Sequence, residues 1–201
     1  MIAIVDYGVG NLGSIYNMFK RVGLQAAIVG DAETLSKSSK ILLPGVGAFD
    51  HAMKRIADSG LREVLDHKAL VERVPFLGIC LGMQLMTRGS EEGVLPGLGW
   101  IDAQVKKFPA TPGLKVPHMG WNLVNQAKSS PLTDGLAGDA RFYFVHSYFV
   151  QVDNPEDQLL TTEYGVTFDA AFARGNLFGA QFHPEKSHRF GMELFQNFGA
   201  I

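Results

Sequence analysis

Four short apolar runs in the first half of the chain, Ile2–Val5, Ala26–Val29, Ile41–Leu43 and Phe76–Ile79, alternate with stretches of helical spacing. Runs apolar at every position bury both faces of a strand, and strands separated by helices pair in parallel. Ser14 reads as the cap of a helix running to about Val22, with Gly23 as its stop. Phe49–Ser59, Leu61–Glu72 and Leu81–Arg88 carry further helical patterns. The second half changes character. Trp100–Phe108, Arg141–Gln151, Leu159–Tyr164, Asp169–Arg174 and Leu177–Phe182 read as strands joined by short turns, and helical spacing returns only near His188–Phe198. The expected fold is α/β: a mostly parallel central sheet flanked by helices, with an appended antiparallel portion, in a single domain over residues 1–201.

Composition narrows the function classes. With 46% hydrophobic and 19% charged residues, the chain has the balance of a soluble globular protein. A single cysteine forbids internal disulfides and argues against cysteine-based metal clusters, which fits a cytoplasmic setting. His51, His67, His118, His146 and His188 are scattered without metal-ligand spacing. A formal net charge of -2 leaves no basic field for nucleic acid, and Lys54-Arg55 and Lys106-Lys107 read as solvated pairs. No apolar run reaches the roughly 18 residues of a membrane span, and the start MIAIVDYGVG lacks the basic, then apolar, pattern of a signal peptide.

Gly8-Val9-Gly10-Asn11-Leu12-Gly13 matches a dinucleotide-binding glycine pattern between a strand and a helix, with Asp31 after the second strand. Alone it supports an NAD-dependent oxidoreductase. Short glycine patterns arise easily among 23 glycines, and the plain reading is a strand–helix turn in which Asn11 faces a ligand or a partner.

A stronger constellation lies elsewhere. Gly78-Ile79-Cys80-Leu81-Gly82 has nucleophile-elbow spacing, with cysteine in the serine position between a strand and a helix. Such a turn is strained, so its neighbours must be small, and the sulfur stands at a helix N-terminus that favours thiolate. The Leu81 N–H then faces a developing oxyanion. Gln181-Phe182-His183-Pro184-Glu185 supplies partners: Pro184 keeps His183 extended, and in extended chain His183 and Glu185 share a face. Nucleophile, base and orienting carboxylate follow triad logic. Pro44-Gly45-Val46-Gly47 ends the third strand, where its N–H groups can supply a second oxyanion donor. Gln84 lies one helical turn after Cys80, and Glu92 offers a carboxylate to a cationic amino group.

Gly-Ile-Cys-Leu-Gly-Met-Gln-Leu at 78–85 with His-Pro-Glu at 183–185 resembles the class I, triad-type glutamine amidotransferases. Asp-Tyr-Gly-Val-Gly-Asn-Leu at 6–12, Pro-Gly-Val-Gly-Ala-Phe at 44–49, Pro-His-Met-Gly-Trp-Asn at 117–122, Tyr-Phe-Val-His-Ser-Tyr at 143–148 and Gln-Phe-His-Pro-Glu-Lys-Ser at 181–187 are similar to the glutaminase subunits of imidazole glycerol phosphate synthases. The resemblance implies a flavodoxin-like arrangement and hydrolysis of L-glutamine by Cys80, His183 and Glu185. It places the oxyanion hole at Val46, Gly47 and Leu81. Gln84, Glu92 and the Ser147-Tyr148 backbone would hold glutamine. It also implies a heterodimer with a (β/α)₈-barrel cyclase, which Asn11, His118, Met119 and Trp121 would face. A tryptophan buried in the core is the competing reading of Trp121. No cofactor, metal, nucleic acid or membrane is implied. A paralogue feeding ammonia to a sugar-modifying enzyme is the nearest alternative.

Overall fold

The computed structural model describes residues 1–201. Its elements run β1 (Ile2–Val5), α1 (Leu12–Arg21), β2 (Ala26–Val29), α2 (Ala32–Ser36), β3 (Lys40–Leu43), α3 (Phe49–Asp58), α4 (Arg62–Asp66), β4 (Phe76–Ile79), α5 (Leu81–Leu85), β5 (Ala103–Lys107), β6 (His118–Leu123), β7 (Asn125–Gln126), β8 (Arg141–His146), β9 (Tyr148–Val152), β10 (Gln158–Glu163), β11 (Thr167–Arg174), β12 (Leu177–Ala180) and α6 (His188–Ala200).

The main sheet has the order β2-β1-β3-β4-β12-β11-β10-β7, with β9 pairing with both β11 and β5. The pairs β1–β2, β1–β3, β3–β4 and β4–β12 are parallel. Those of β11, β10, β7, β9 and β5 are antiparallel. The mostly parallel sheet with an antiparallel extension is therefore as expected. β1, β4 and β12 are buried at every position, because helices and loops cover both sides of the sheet. No helix is long and apolar enough to cross a membrane.

Several local expectations are corrected. α1 starts at Leu12 with Asn11 at its cap position, so Ser14 lies inside the helix; Leu12 packs on the core and draws the helix start to it. Asp31 caps the unanticipated helix α2, its carboxylate accepting from Thr34 N at 2.8 Å. The segment 61–72 is α4 followed by a π-helical turn at His67–Val71. α5 stops at Leu85, short of Arg88. Trp100 precedes β5; its ring meets Phe76 edge-on at 4.8 Å and its Nε1–H donates to Asp66 at 2.7 Å. Arg141–Gln151 is two strands, not one. The chain turns at Ser147, leaving a separate ribbon of β6 and β8 for the main sheet, and His146 Nδ1 closes that corner on Tyr148 O at 2.8 Å.

Strand order reverses at β1, whose neighbours are β2 on one side and β3 on the other. Ligand crevices in open α/β sheets form at the carboxyl ends beside such a reversal. The adjacent carboxyl ends of β1, β3, β4 and β12 lead into Tyr7, Pro44–Gly47, Cys80 and Gln181–His183.

Candidate active site

Cys80 stands between β4 and α5 with φ 52 and ψ -111, outside the regions that residues with a β-carbon prefer. Holding it there costs about 1–3 kcal/mol. Neighbouring bonds enforce it: Cys80 N donates to Ala180 O at 2.7 Å, and Cys80 O accepts from Gln84 N at 3.2 Å. Gly82 has to be glycine, since a β-carbon there would lie 1.9 Å from Leu43 O. The elbow thus packs directly on the end of β3. The Leu81 N–H opens α5, where first-turn amides lack intrahelical acceptors.

His183 follows β12 and is anchored by its N–H, which donates to Tyr143 O at 2.9 Å. Its Nδ1 meets Glu185 Oε1 at 2.8 Å, and both side chains are buried. Extended backbone through Pro184 is the route to this pair that the sequence predicts. The backbone instead turns: His183 is extended, but Pro184–Lys186 form a 3₁₀ turn that folds Glu185 back on the ring. Ser187 locks the turn, its hydroxyl donating to His183 O at 2.6 Å and accepting from Tyr143 N at 3.0 Å. Burial pulls the His183 pKa down, but Cys80 and Glu185 outweigh it and raise it to about 9. His183 Nε2 is buried without a hydrogen-bond partner of normal geometry, and its attraction to the Cys80 sulfur is the largest influence raising its pKa, ahead of Glu185.

A cavity of about 420 Å³ opens above these groups. Val46, Gly47, Cys80, Leu81, Gln84, Glu92, Ser147, Tyr148 and His183 line it together, with Glu185 behind the imidazole. Gln84 Nε2 donates to Tyr148 O and to Gln181 Oε1, both at 3.0 Å. Glu92 Oε2 accepts from Phe49 N at 3.0 Å, which caps α3. Gly47 has φ 96 with open space around it, and Val46 is 44% exposed. The arrangement can hold a small amide, attack its carbonyl with sulfur and pass protons through the imidazole.

Pro117, Val145, His146 and Lys186 also line the cavity and were not anticipated as site residues. His146 had a legible signal, since it falls on the inward phase of β8 with Phe142 and Phe144. Gln181 was not anticipated either; it is fully buried and 3.8 Å from Cys80 Sγ.

The proposed partner-facing residues do not behave alike. Asn11 is exposed, as are Met119 (61%) and Trp121 (45%). Trp121 stacks on His188 at 5.4 Å, outside the core. His118 is a correction: it is buried, stacked at 4.0 Å on Tyr164, because alternation along β6 turns it inward. Its Nδ1 meets His146 Nε2 at 3.0 Å. Burial pulls His118 down to about 4 and His146 to about 3, so both are neutral near pH 7. The Tyr148 carbonyl then fixes the tautomers: His146 carries its proton on Nδ1 and accepts from His118 Nδ1–H.

No group of three or more His, Cys, Asp or Glu side chains converges to hold a metal ion. Asp31, placed where a dinucleotide-binding acid would sit, is used as a helix cap.

Comparison with known proteins agrees with this geometry. The family model described as glutamine amidotransferase class-I matches residues 3–200. The chain is 50% identical over 204 residues to "Imidazole glycerol phosphate synthase subunit HisH" of Bdellovibrio bacteriovorus, covering 100% of both chains. It is 50% identical over 198 residues to "Imidazole glycerol phosphate synthase subunit HisH 2" of Methanococcus maripaludis, covering 98% of each. A solved structure titled "Crystal structure of glutamine amidotransferase" shares the fold, with a TM-score of 0.76, 17% identity and 100% of both chains covered. A match over nearly the whole chain, with relatives half identical along their full length, shows that the chain belongs to the class-I glutamine amidotransferase family, in its HisH branch.

Proposed function

We propose that the chain is the glutaminase subunit of an imidazole glycerol phosphate synthase, hydrolysing L-glutamine to glutamate and ammonia for a (β/α)₈-barrel cyclase. The observation that carries this reading is the strained Cys80 elbow sharing one cavity with His183, itself held at 2.8 Å by Glu185. Full-length identity to HisH subunits supports the pathway assignment.

In this reading the Cys80 sulfur attacks the side-chain amide carbon of glutamine. The Leu81 N–H and an N–H of Val46 or Gly47 bind the oxyanion. Protonated His183 gives its Nε2 proton to the leaving ammonia, and a thioester forms on Cys80. Neutral His183 then takes a proton from water, which attacks the thioester and releases glutamate. Glu185 holds Nδ1 and stabilises the imidazolium. Gln84, Glu92 and the Ser147-Tyr148 backbone hold the amino-acid end of glutamine. The cyclase uses the ammonia to convert a phosphoribosyl-formimino carboxamide ribotide to imidazole glycerol phosphate and an aminoimidazole carboxamide ribotide. Direct transfer keeps ammonia from becoming ammonium, which is no nucleophile. Asn11 and the exposed apolar strip of Met119, Trp121 and Leu123 on β6 suit a partner protein.

The test is glutamate release by the chain alone, with the cyclase, and with cyclase plus ribotide. A large rise that needs both supports the reading; no glutamate release in any mixture overturns it.

Two further outcomes are expected. Val46→Pro removes one donor at a half-exposed position, so stimulated hydrolysis should fall by about 10²–10³. A full stimulated rate would place the donor elsewhere. Activity should also fall as pH rises through about 9, where His183 loses the proton meant for ammonia. The sign follows from a raised pKa: the charged form persists below about 9 and is lost above it. A pH profile of kcat/KM with no basic limb in that region would contradict this.

A further inference from the structure

Tyr7 is buried at the carboxyl end of β1 and has no part in the chemistry above. Its hydroxyl donates to Pro44 O at 2.7 Å, across the reversal between β1 and β3. Pro44 is the last residue before Gly45-Val46-Gly47. Up to Gly45 the chain is fixed. Leu43 pairs with Gly78 in the sheet, and a β-carbon on Gly45 would lie 2.9 Å from Tyr7 Oη, Gly82 N and Leu81 Cβ alike. Beyond Gly45 the packing ends, with Val46 half exposed and open space around Gly47. The chain is caught again at Phe49, whose N–H donates to Glu92 Oε2 at 3.0 Å. The segment is therefore anchored at Pro44–Gly45, through Tyr7 and close packing, and again at Ala48–Phe49, where Ala48 O accepts from Ala52 N at 3.1 Å and Phe49 N donates to Glu92, with Val46 and Gly47 free between.

We infer that Tyr7 is a positioning residue for the oxyanion strand, its hydroxyl fixing the Pro44 carbonyl and with it the direction in which the Val46 and Gly47 N–H groups point. This rests on the glutaminase reading above. The orientation of the Pro44 carbonyl sets the plane of the Pro44–Gly45 peptide, and Val46 hangs from the next one. With Pro44 O free to turn, the donors spend less time aimed at the position of the oxyanion, and preorganisation is lost. Burial, reinforced by the charge at Cys80, pushes the phenol above its ordinary pKa, so it stays a donor. Glu92 gives the opposite anchor a different character. It holds Phe49 N and faces the cavity, so a substrate ammonium bound there meets the carboxylate that pins the downstream end.

The test is Tyr7→Phe in the assembled complex with cyclase and ribotide, since this change removes only the hydroxyl. The expected result is a kcat for glutamine hydrolysis lowered about tenfold, with KM within about twofold, because the lost interaction belongs to the transition state. Alkylation of Cys80 by iodoacetamide forms no oxyanion and should proceed at the wild-type rate. Wild-type kcat in Tyr7→Phe, beside an active wild type, overturns this inference alone. Alkylation falling in step with kcat also overturns it, because the elbow itself would then depend on Tyr7. A wild-type complex that releases no glutamate overturns the glutaminase reading and this inference with it.

Discussion

Cys80→Ala is expected to lower stimulated glutamine hydrolysis by about 10⁴–10⁶, the loss seen when a covalent nucleophile is removed from a triad. The effect should be this large because the chain has one cysteine and therefore one thiol able to form the thioester. Cys80 lies 7% exposed at the cavity, and alanine keeps its β-carbon, so the elbow retains its shape. The variant should still support synthesis from added ammonium salts, since that reaction belongs to the cyclase. Loss of both reactions would point to a misassembled complex. Retention of glutamine hydrolysis would remove Cys80 from the mechanism.

Glu185→Gln is the second large effect. An amide of the same shape has no charge to stabilise the imidazolium, and its NH₂ group favours the wrong tautomer at Nδ1. By analogy with serine triads, kcat should fall by about 10³–10⁴. The pH profile separates this from simple damage. Cys80 and Glu185 together raise His183 to about 9, so removing the carboxylate should shift the basic limb to lower pH. A large loss of kcat with the limb unmoved would mean that Glu185 does not set the charge of His183.

The parts of the fold legible in the sequence are those dictated by local physics. Ile2–Val5 and Phe76–Ile79 read as strands because burial on both faces demands unbroken apolar runs. β6 has no clear strand pattern in the sequence, because His118–Leu123 contains a glycine and carries exposed apolar side chains on its outer face. β7 spans two residues and has no pattern to read. The break at Ser147 depends on a tertiary event, the passage from one sheet to another, so β8 and β9 read as one strand.

The site divides in the same way. Cys80 and its flanking glycines were legible because the elbow's strain is local. The pairing of His183 with Glu185 was legible from spacing, though a 3₁₀ turn rather than extended chain achieves it. The contact of Gln84 with Gln181 spans 97 positions, and the His118–His146 pair joins separate strands across 28. Neither leaves a mark in local sequence. Asp31 shows the converse: the right residue near the right place for a dinucleotide, whose structural work is to cap a helix.

In the proposed mechanism Cys80 attacks the side-chain carbonyl of glutamine with His183 and Glu185 in support. Labelling the complex with the diazoketone analogue of glutamine, followed by peptide mapping, tests it most directly. The expected result is one adduct per chain, on the Cys80 peptide, with hydrolysis lost in proportion and protection by excess glutamine. Inactivation with the label on another residue, or with Cys80 unmodified, would contradict it.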